Sequence, residues 1–519
     1  MKNKFIYLSV FAALFAACEP EFDNDVNANY SAGDADFTTY VAVGNSLTAG
    51  YMDGTVYKSG QQYSFPNLLA QQFSLVGGGA FTQPSYEEDV NNLGGIAGLA
   101  PTRLIIDASE SRPENIAGTS TITLTPQATA YNNMGVPGAK SFHLLLPGYG
   151  GLNPYYARHA TSASSTVLGD ALSKNPTFFT CWIGANDVLA YATTGGIGTN
   201  QTGNMDITTY GNNDITDPNV FAFTYNLIIN GGTHPMLGPV TGLTANGAKG
   251  VVATIPSVTS IPFFTTVPYN PLTSSALGGD AVVNQLNTNL YGPLKQILTA
   301  LGQGDRINLL STTEPNPVLI VDEALVNLQP QITAIASTIP QLAPLAPYLG
   351  ATYGRARQAT AADLVLLTTS GVIGTTAAGL PAGVPDDLKK YGVTYPLQDQ
   401  HLLVPSEQTA IATATASYNA SIQAIASASN LAVADMNAIM NQLISGLRIQ
   451  TGQSYTANYF SGSTTEGQVL FSLDGVHPNA RGYAVISNEI IKIINDYYNA
   501  NLPMHHPSYF PGINILTSN

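Results

Sequence analysis

Short apolar runs separated by longer amphipathic segments dominate the pattern of hydrophobic and polar positions. Four runs have the length and composition of buried strands in a parallel sheet, and each ends in polar or glycine-rich residues: 40–43, 177–183, 250–255 and 431–435. Helical patterns lie between or after them, at 63–73, 408–428 and 480–498. Strands that alternate with helices predict an α/β fold with a doubly wound, mostly parallel sheet and helices on both faces.

Two long segments interrupt this alternation and are expected to be insertions into a flavodoxin-like core, at about 77–130 and about 270–395. The second carries an apolar stripe with three-four spacing: Leu325, Leu328, Ile332, Ile335, Ile339 and Leu342. Pro330 and Pro340 are expected to confine its central helix to about ten residues. The stripe is expected to pack onto the main domain, with a lid or an acyl-chain surface as the alternative.

The composition excludes several classes of function. Only 10% of the residues are charged, against about 25% in an average soluble domain. Lys and Arg total 18 against 33 Asp and Glu, which gives a net charge of −15 and argues against nucleic acid as a partner. The hydrophobic fraction of 44% is large enough for an extended core and argues against general disorder.

The N-terminus has the pattern of an export signal. Lys2 and Lys4 precede an apolar run at 5–17, which is shorter than the about 20 residues that span a bilayer. The run ends in LFAAC, which resembles the lipobox of bacterial lipoproteins. This resemblance implies a signal peptide at 1–17, a lipid on Cys18, an acidic tether at 18–36 and a place in the bacterial cell envelope, where an outer membrane lipoprotein is expected. An ordinary cleaved secretory signal is the alternative.

Cys181 is the second of two cysteines in the chain. If Cys18 carries a lipid, Cys181 has no partner for an intramolecular disulfide. It lies in the apolar run at 177–183, so we expect a buried, inert thiol.

Three loops that follow predicted strands or precede the last helix carry reactive side chains, and ligands of open α/β sheets bind beyond the carboxyl ends of the strands. The segment 44–51, GNSLTAGY, places Ser46 at a helix start, where serine is also a common N-cap. The segment 184–187, GAND, contains Asn186 and Asp187, which could instead cap a helix. In DGVHP at 474–478, Asp474 can accept one imidazole N–H of His477 and leave the other nitrogen facing a hydroxyl.

Together these segments resemble the SGNH hydrolases of the GDSL esterase and lipase superfamily. Four blocks match in order: 44–47, 132–139, 184–187 and 474–477. The first departs from Gly-Asp-Ser-Leu by having Asn45 in place of aspartate, which leaves the hydrogen bonding of that turn open. In the second, the family glycine is placed at Gly138, with Gly135 as the alternative. The hydrolase domain is expected over 37–500, followed by a C-terminal tail at 501–519.

The resemblance implies a serine esterase that forms an acyl-enzyme without a metal or cofactor. Ser46 would be the nucleophile, His477 the base and Asp474 the carboxylate that orients it. The oxyanion would be held by the N–H groups of Ser46 and Gly138 and by the side-chain amide of Asn186. The expected substrate is a carboxylic ester, of a lipid or of an acylated glycan. A surface lipoprotein that binds glycan or lipid without turnover is the alternative.

Overall fold

The computed structural model describes residues 29–84, 86–107, 112–124, 130–449, 452–460, 468–513 and 515–516. The expected signal peptide, Cys18 and the first part of the tether lie outside the described residues. Among the helices that are described, none has the length and apolar character needed to cross a membrane.

A parallel sheet of five strands forms the centre of the fold. Its strands are β1 (Tyr40–Gly44), β2 (Asn133–Gly135), β3 (Phe178–Trp182), β4 (Lys249–Ala253) and β5 (Ala432–Ala434). Their spatial order is β5-β4-β3-β1-β2, and every neighbouring pair is parallel. The four predicted strands are confirmed, whereas β2 was not predicted as a strand.

Helices cover both faces of this sheet. The helices of six or more residues are α1 (Phe65–Ser74), α2 (Val167–Leu172), α3 (Asn186–Thr193), α4 (Pro218–Asn230), α5 (Asp280–Leu286), α6 (Gly292–Ala300), α7 (Gln329–Ser337), α8 (Ala346–Tyr353), α9 (Pro405–Ala428), α10 (Met436–Ser445) and α11 (Ala480–Tyr498). Successive strand residues point to opposite faces. Val41 and Val43 therefore pack in the core with α4 and α9, while Tyr40 and Ala42 pack with α1 and α11.

The predicted helices at 63–73, 408–428 and 480–498 correspond to α1, α9 and α11. The bounds of α11 agree with the prediction, but α9 begins earlier, at Pro405. Proline suits the first turn of a helix, and the Glu407 carboxylate accepts the Val404 N–H at 2.8 Å. The first turn of α9 is polar, so the apolar pattern of the sequence did not mark its start at Pro405.

The second insertion builds a core of its own. Helices α5 to α8 enclose buried side chains that include Tyr291, Leu349 and Tyr353. The stripe residues Leu328 and Ile332 are buried in this core, and Ile335, Ile339 and Leu342 pack against it. The expectation that the stripe packs onto the main domain is therefore wrong. Its central helix is confined as expected, since α7 has Pro330 in its first turn and ends before Pro340.

The first insertion and the C-terminal tail lie against each other. Strand Leu104–Asp107 pairs antiparallel with Glu114–Asn115 and parallel with Ile515–Leu516. Residues 515–516 of the tail are therefore tied to the insertion by backbone pairing.

Cys181 lies in β3 with no exposed surface, and burial raises the pKa of its thiol to about 12. The thiol is thus protonated at neutral pH, which agrees with the expected inert side chain.

Candidate active site

The loop after β1 presents Ser46 at the start of a one-turn helix, Ser46–Ala49. Asn45 is the N-cap of this helix, because its side-chain oxygen accepts the Leu47 N–H at 3.1 Å. The interpretation of Ser46 as a capping serine is therefore wrong, and its hydroxyl is available for other contacts. Asn45 therefore supplies the capping hydrogen bond of this turn, which the sequence alone did not determine.

Gly44 makes the sharp turn from β1 into this helix sterically feasible. A Cβ at this position would lie 2.2 Å from Thr48 Oγ1 and 2.5 Å from the carbonyl oxygen of Trp182. Any side chain would consequently displace the backbone that carries Ser46.

The loop before α11 fixes Asp474 by many hydrogen bonds. One carboxylate oxygen accepts the N–H groups of Val476 and His477, both at 2.8 Å, and the Ser472 hydroxyl at 3.0 Å. The other oxygen accepts the Gly54 N–H at 3.1 Å and lies 2.9 Å from His477 Nδ1. These contacts hold both oxygens of the carboxylate in place, so that it orients the imidazole.

Ser46, His477 and Asp474 lie in one hydrogen-bonded line. The Nε2 atom of His477 is 2.8 Å from Ser46 Oγ, and its Nδ1 atom is 2.9 Å from Asp474 Oδ2. With the proton on Nδ1 donated to the carboxylate, Nε2 can accept the serine hydroxyl. Such an arrangement can remove the hydroxyl proton while the oxygen attacks an electrophile.

Asp474 stays ionised over the physiological pH range. Its burial would raise the pKa, but the neighbouring His477 ring and the N–H groups of His477 and Val476 outweigh this effect, so the pKa lies below its ordinary value. A negative charge beside the imidazole stabilises the imidazolium that forms when Ser46 loses its proton.

Asn186 begins α3 and lies beside the group around Ser46. Its side-chain N–H donates to the Ala139 carbonyl at 2.9 Å, which leaves the second amide hydrogen for another acceptor. Asp187 has a different place: its carboxylate accepts the backbone N–H and the hydroxyl of Ser141, at 2.9 and 2.8 Å. Neither residue caps α3, whose N-cap is Ala185.

Gly138 and Gly135 differ in the state of their N–H groups. The Gly135 N–H donates to the Asn133 side chain at 3.0 Å. In the described part of the chain, the N–H groups of Gly138 and Ser46 meet no acceptor. Gly138 is exposed, has a φ of +79° and directly precedes the residue that holds Asn186. These contacts favour Gly138 over Gly135 as a donor to a bound anion.

An apolar cavity of about 110 Å³ adjoins Ser46. Its polar lining consists of Asn45, Ser46, Asn186 and His477. Its apolar lining comes chiefly from α10, from the segment 470–478 and the start of α11, and from the loops after β3 and β4. Among the described residues, none that lines it belongs to 270–395. The alternative of that insertion as an acyl-chain surface is therefore wrong for this cavity.

Sequence reasoning missed Asp53. Its carboxylate accepts the Leu473 N–H at 3.0 Å and the Tyr57 hydroxyl at 2.6 Å, and its own N–H donates to Ser472 Oγ at 3.0 Å. Asp53 thus joins the loop after β1 to the loop of Asp474. The signal available in the sequence was an Asp-Gly dipeptide, which indicates only a turn.

Within the described part of the chain, no group of three or more His, Cys, Asp or Glu side chains is arranged to hold a metal ion. Comparison with models of protein families, with curated proteins and with solved structures found no match to the chain.

Proposed function

We propose that the chain is a serine ester hydrolase of the SGNH type, which cleaves a carboxylic ester through an acyl-enzyme. The observation that carries this proposal is the line from Ser46 Oγ to His477 Nε2, 2.8 Å, and from His477 Nδ1 to Asp474, 2.9 Å. Both distances are within hydrogen-bond reach, and the order of nucleophile, base and carboxylate is the one that acyl transfer requires.

In the first half of the reaction, Ser46 Oγ forms a bond to the ester carbonyl carbon and its proton passes to His477 Nε2. The carbonyl electron pair moves onto the oxygen. When this tetrahedral intermediate collapses, the bond to the alcohol oxygen breaks and His477 returns the proton to the leaving alcohol. Water then attacks the acyl-enzyme in the same way, with His477 as base, and releases the acid and free Ser46.

The negative charge on the carbonyl oxygen needs donors that are already in place. The N–H groups of Ser46 and Gly138 and the second amide hydrogen of Asn186 supply them in this proposal. The contact between Asn186 and Ala139 at 2.9 Å supports this assignment, since it ties the amide to the residue next to Gly138.

The fold supports the same proposal. Across the sheet, the five strands lie side by side in the order β2-β1-β3-β4-β5. This is the strand order of flavodoxin-like, doubly wound sheets. The register sets Gly44 beside Gly135 and Trp182, so the segments with Ser46, Gly138 and Asn186 leave the sheet at one edge. Ligands of such sheets bind at that edge.

The cellular setting is part of the proposal. The pattern at 1–18 supports export and a lipid anchor on Cys18, which places the hydrolase on a bacterial membrane, in our proposal the outer membrane. The substrate is then an ester of a lipid or of an acylated glycan within reach of that membrane.

Hydrolysis of a chromogenic ester tests the reaction type. We expect the full chain to hydrolyse p-nitrophenyl butyrate. Ser46→Ala is expected to remove the activity; an active Ser46→Ala variant would contradict the proposal.

A further inference from the structure

One face of α10 lines the cavity beside Ser46. Met436, Ile439, Met440 and Leu443 all line it, and they recur every three or four residues along the helix. Ile444 lies on another face of the same helix and is 52% exposed. The helix therefore presents an apolar wall to the space beside the reactive hydroxyl.

We propose that this cavity binds the acyl group of the ester. The enzyme then prefers esters whose acyl group has about four to six carbons to acetyl esters. The inference rests on the proposed function, since it takes Ser46 as the nucleophile. It assigns a specificity role to side chains of α10: Ile439, Met440 and Leu443 form the wall that the acyl chain meets.

The acyl part fits this space better than the alcohol part. The acyl group stays bonded to Ser46 until water attacks, whereas the alcohol must leave and water must replace it. A cavity lined by aliphatic and aromatic side chains stabilises the group that remains, and it offers the departing alcohol no polar partner beyond the residues around Ser46.

The size of the cavity limits the length of the chain. An engineered apolar cavity of about 150 Å³ holds benzene, which has six carbons. The volume of about 110 Å³ is somewhat smaller. An acetyl group leaves most of this space empty, and each further methylene that enters it raises the rate roughly fourfold until the chain end meets the wall.

Two ester series test the inference with the full chain. In the first, p-nitrophenyl esters run from acetate through butyrate, hexanoate and octanoate to laurate. In the second, the acyl group is always acetyl and the alcohol runs from ethanol to hexanol. We expect kcat/KM to rise roughly fifteenfold from acetate to butyrate at about fourfold per methylene, to peak by hexanoate and to fall by laurate. The alcohol series is expected to be nearly flat.

Variants of α10 connect the preference to the cavity. Ile439→Trp fills the space and is expected to lower the butyrate-to-acetate ratio of kcat/KM by about tenfold. Ile444→Trp adds the same side chain to the exposed face of the helix and is expected to leave that ratio unchanged. A ratio that moves equally in both variants overturns the inference.

Labelling of Ser46 by a fluorophosphonate separates the two proposals. If Ser46 is labelled but acetate is the best substrate, or if length dependence appears only in the alcohol series, the acyl-cavity inference fails and the hydrolase stands. A rate that still rises from hexanoate to laurate also overturns the size limit. If Ser46 is not labelled and no ester is cleaved, both proposals fail.

Discussion

Asp53 shows how a residue without a role in the chemistry can hold the residues that have one. It has a left-handed backbone, with φ of +51°, and three hydrogen bonds join it to Ser472, Leu473 and Tyr57. Burial raises the pKa of its carboxyl to about 6, although the Tyr57 hydroxyl and the Leu473 N–H act in the opposite direction. We interpret Asp53 as a positioning residue for Asp474.

Replacement of Asp53 tests this interpretation. Asp53→Ala removes the acceptor of the Leu473 N–H, so the Asp474 loop shifts and kcat is expected to fall by about 10- to 100-fold with little change in KM. Asp53→Asn keeps an acceptor oxygen and is expected to recover part of the loss. Steady-state kinetics of both variants measure these changes in kcat and KM. Loss of thermal stability with unchanged kcat, or no rescue by asparagine, would show a merely structural role.

Asn186 gives a prediction about the transition state. Asn186→Ala removes one oxyanion donor and is expected to lower kcat by about 10²- to 10³-fold. Thr193→Ala, at the other end of α3, is the matched control and is expected to retain wild-type kinetics. A change confined to KM in Asn186→Ala would mean that the amide binds the substrate and the transition state equally.

The residues of the candidate site differ in how far the sequence could predict them. The spacing of Asp474 and His477 predicted a contact that the structure has at 2.9 Å. Asp53 could not be found in this way, because its hydrogen bond to Leu473 joins residues 420 positions apart. Only the folded chain brings such residues together.

At the scale of elements, β2 was missed because it lacks the apolar run that marks a buried strand. It has three residues, and its Asn133 side chain is buried with both ends satisfied: it donates to the Thr48 carbonyl at 2.9 Å and accepts the Gly135 N–H at 3.0 Å. Its pairing with β1 comes from tertiary contacts that periodicity does not encode. The strands β1, β3, β4 and β5 have such apolar runs, which is why the sequence predicted them.

The first turn of α9 carries a pH-sensitive group. Burial raises the pKa of Glu407 from 4.5 to about 7; the Val404 N–H lowers it, and the nearby charges of Asp399 and Glu323 raise it further. The folded state therefore favours the neutral carboxyl. This group's contribution to stability is full below pH about 4.5 and is lost as the pH rises through about 7.

Glu407→Gln removes the charge but keeps an oxygen for the Val404 N–H. We expect it to increase the free energy of unfolding by about 1 kcal/mol at pH 8, a figure reduced for the partial exposure of the group, and to change it little at pH 4.5. Urea unfolding at both pH values measures this difference, and Glu314→Gln on an exposed loop is the control. An equal effect of Glu407→Gln at both pH values would contradict the pKa shift as its cause.

At the scale of the whole molecule, much of the second insertion packs around a core of its own, while Leu366 joins the main core. Among the described residues, the insertion adds no lining to the cavity beside Ser46. The apolar stripe at 325–342 predicted α7 but not the surface that buries it. Periodicity identifies an apolar face without naming its partner, and here the partner helices lie within the same insertion.

The membrane anchor is a prediction about the whole chain. A lipidated Cys18 with several acyl chains gives stable anchoring, so the wild-type chain expressed in a bacterium is expected in the membrane fraction, released by detergent but not by salt. Cys18→Ala is expected to lose incorporation of an alkyne fatty acid, and Cys181→Ala is the matched control that keeps it. Absence of label in the wild type would identify 1–17 as an ordinary secretory signal.

Covalent labelling of the serine tests the central claim most directly. An activated serine oxygen attacks the phosphorus of a fluorophosphonate and displaces fluoride. The modified peptide can then be located by mass spectrometry. The proposed hydrolase predicts one labelled site, Ser46, with labelling abolished in Ser46→Ala, strongly slowed in His477→Ala and retained in Ser74→Ala on the exposed end of α1. Labelling of another residue, or equal labelling of Ser46→Ala, would contradict the account.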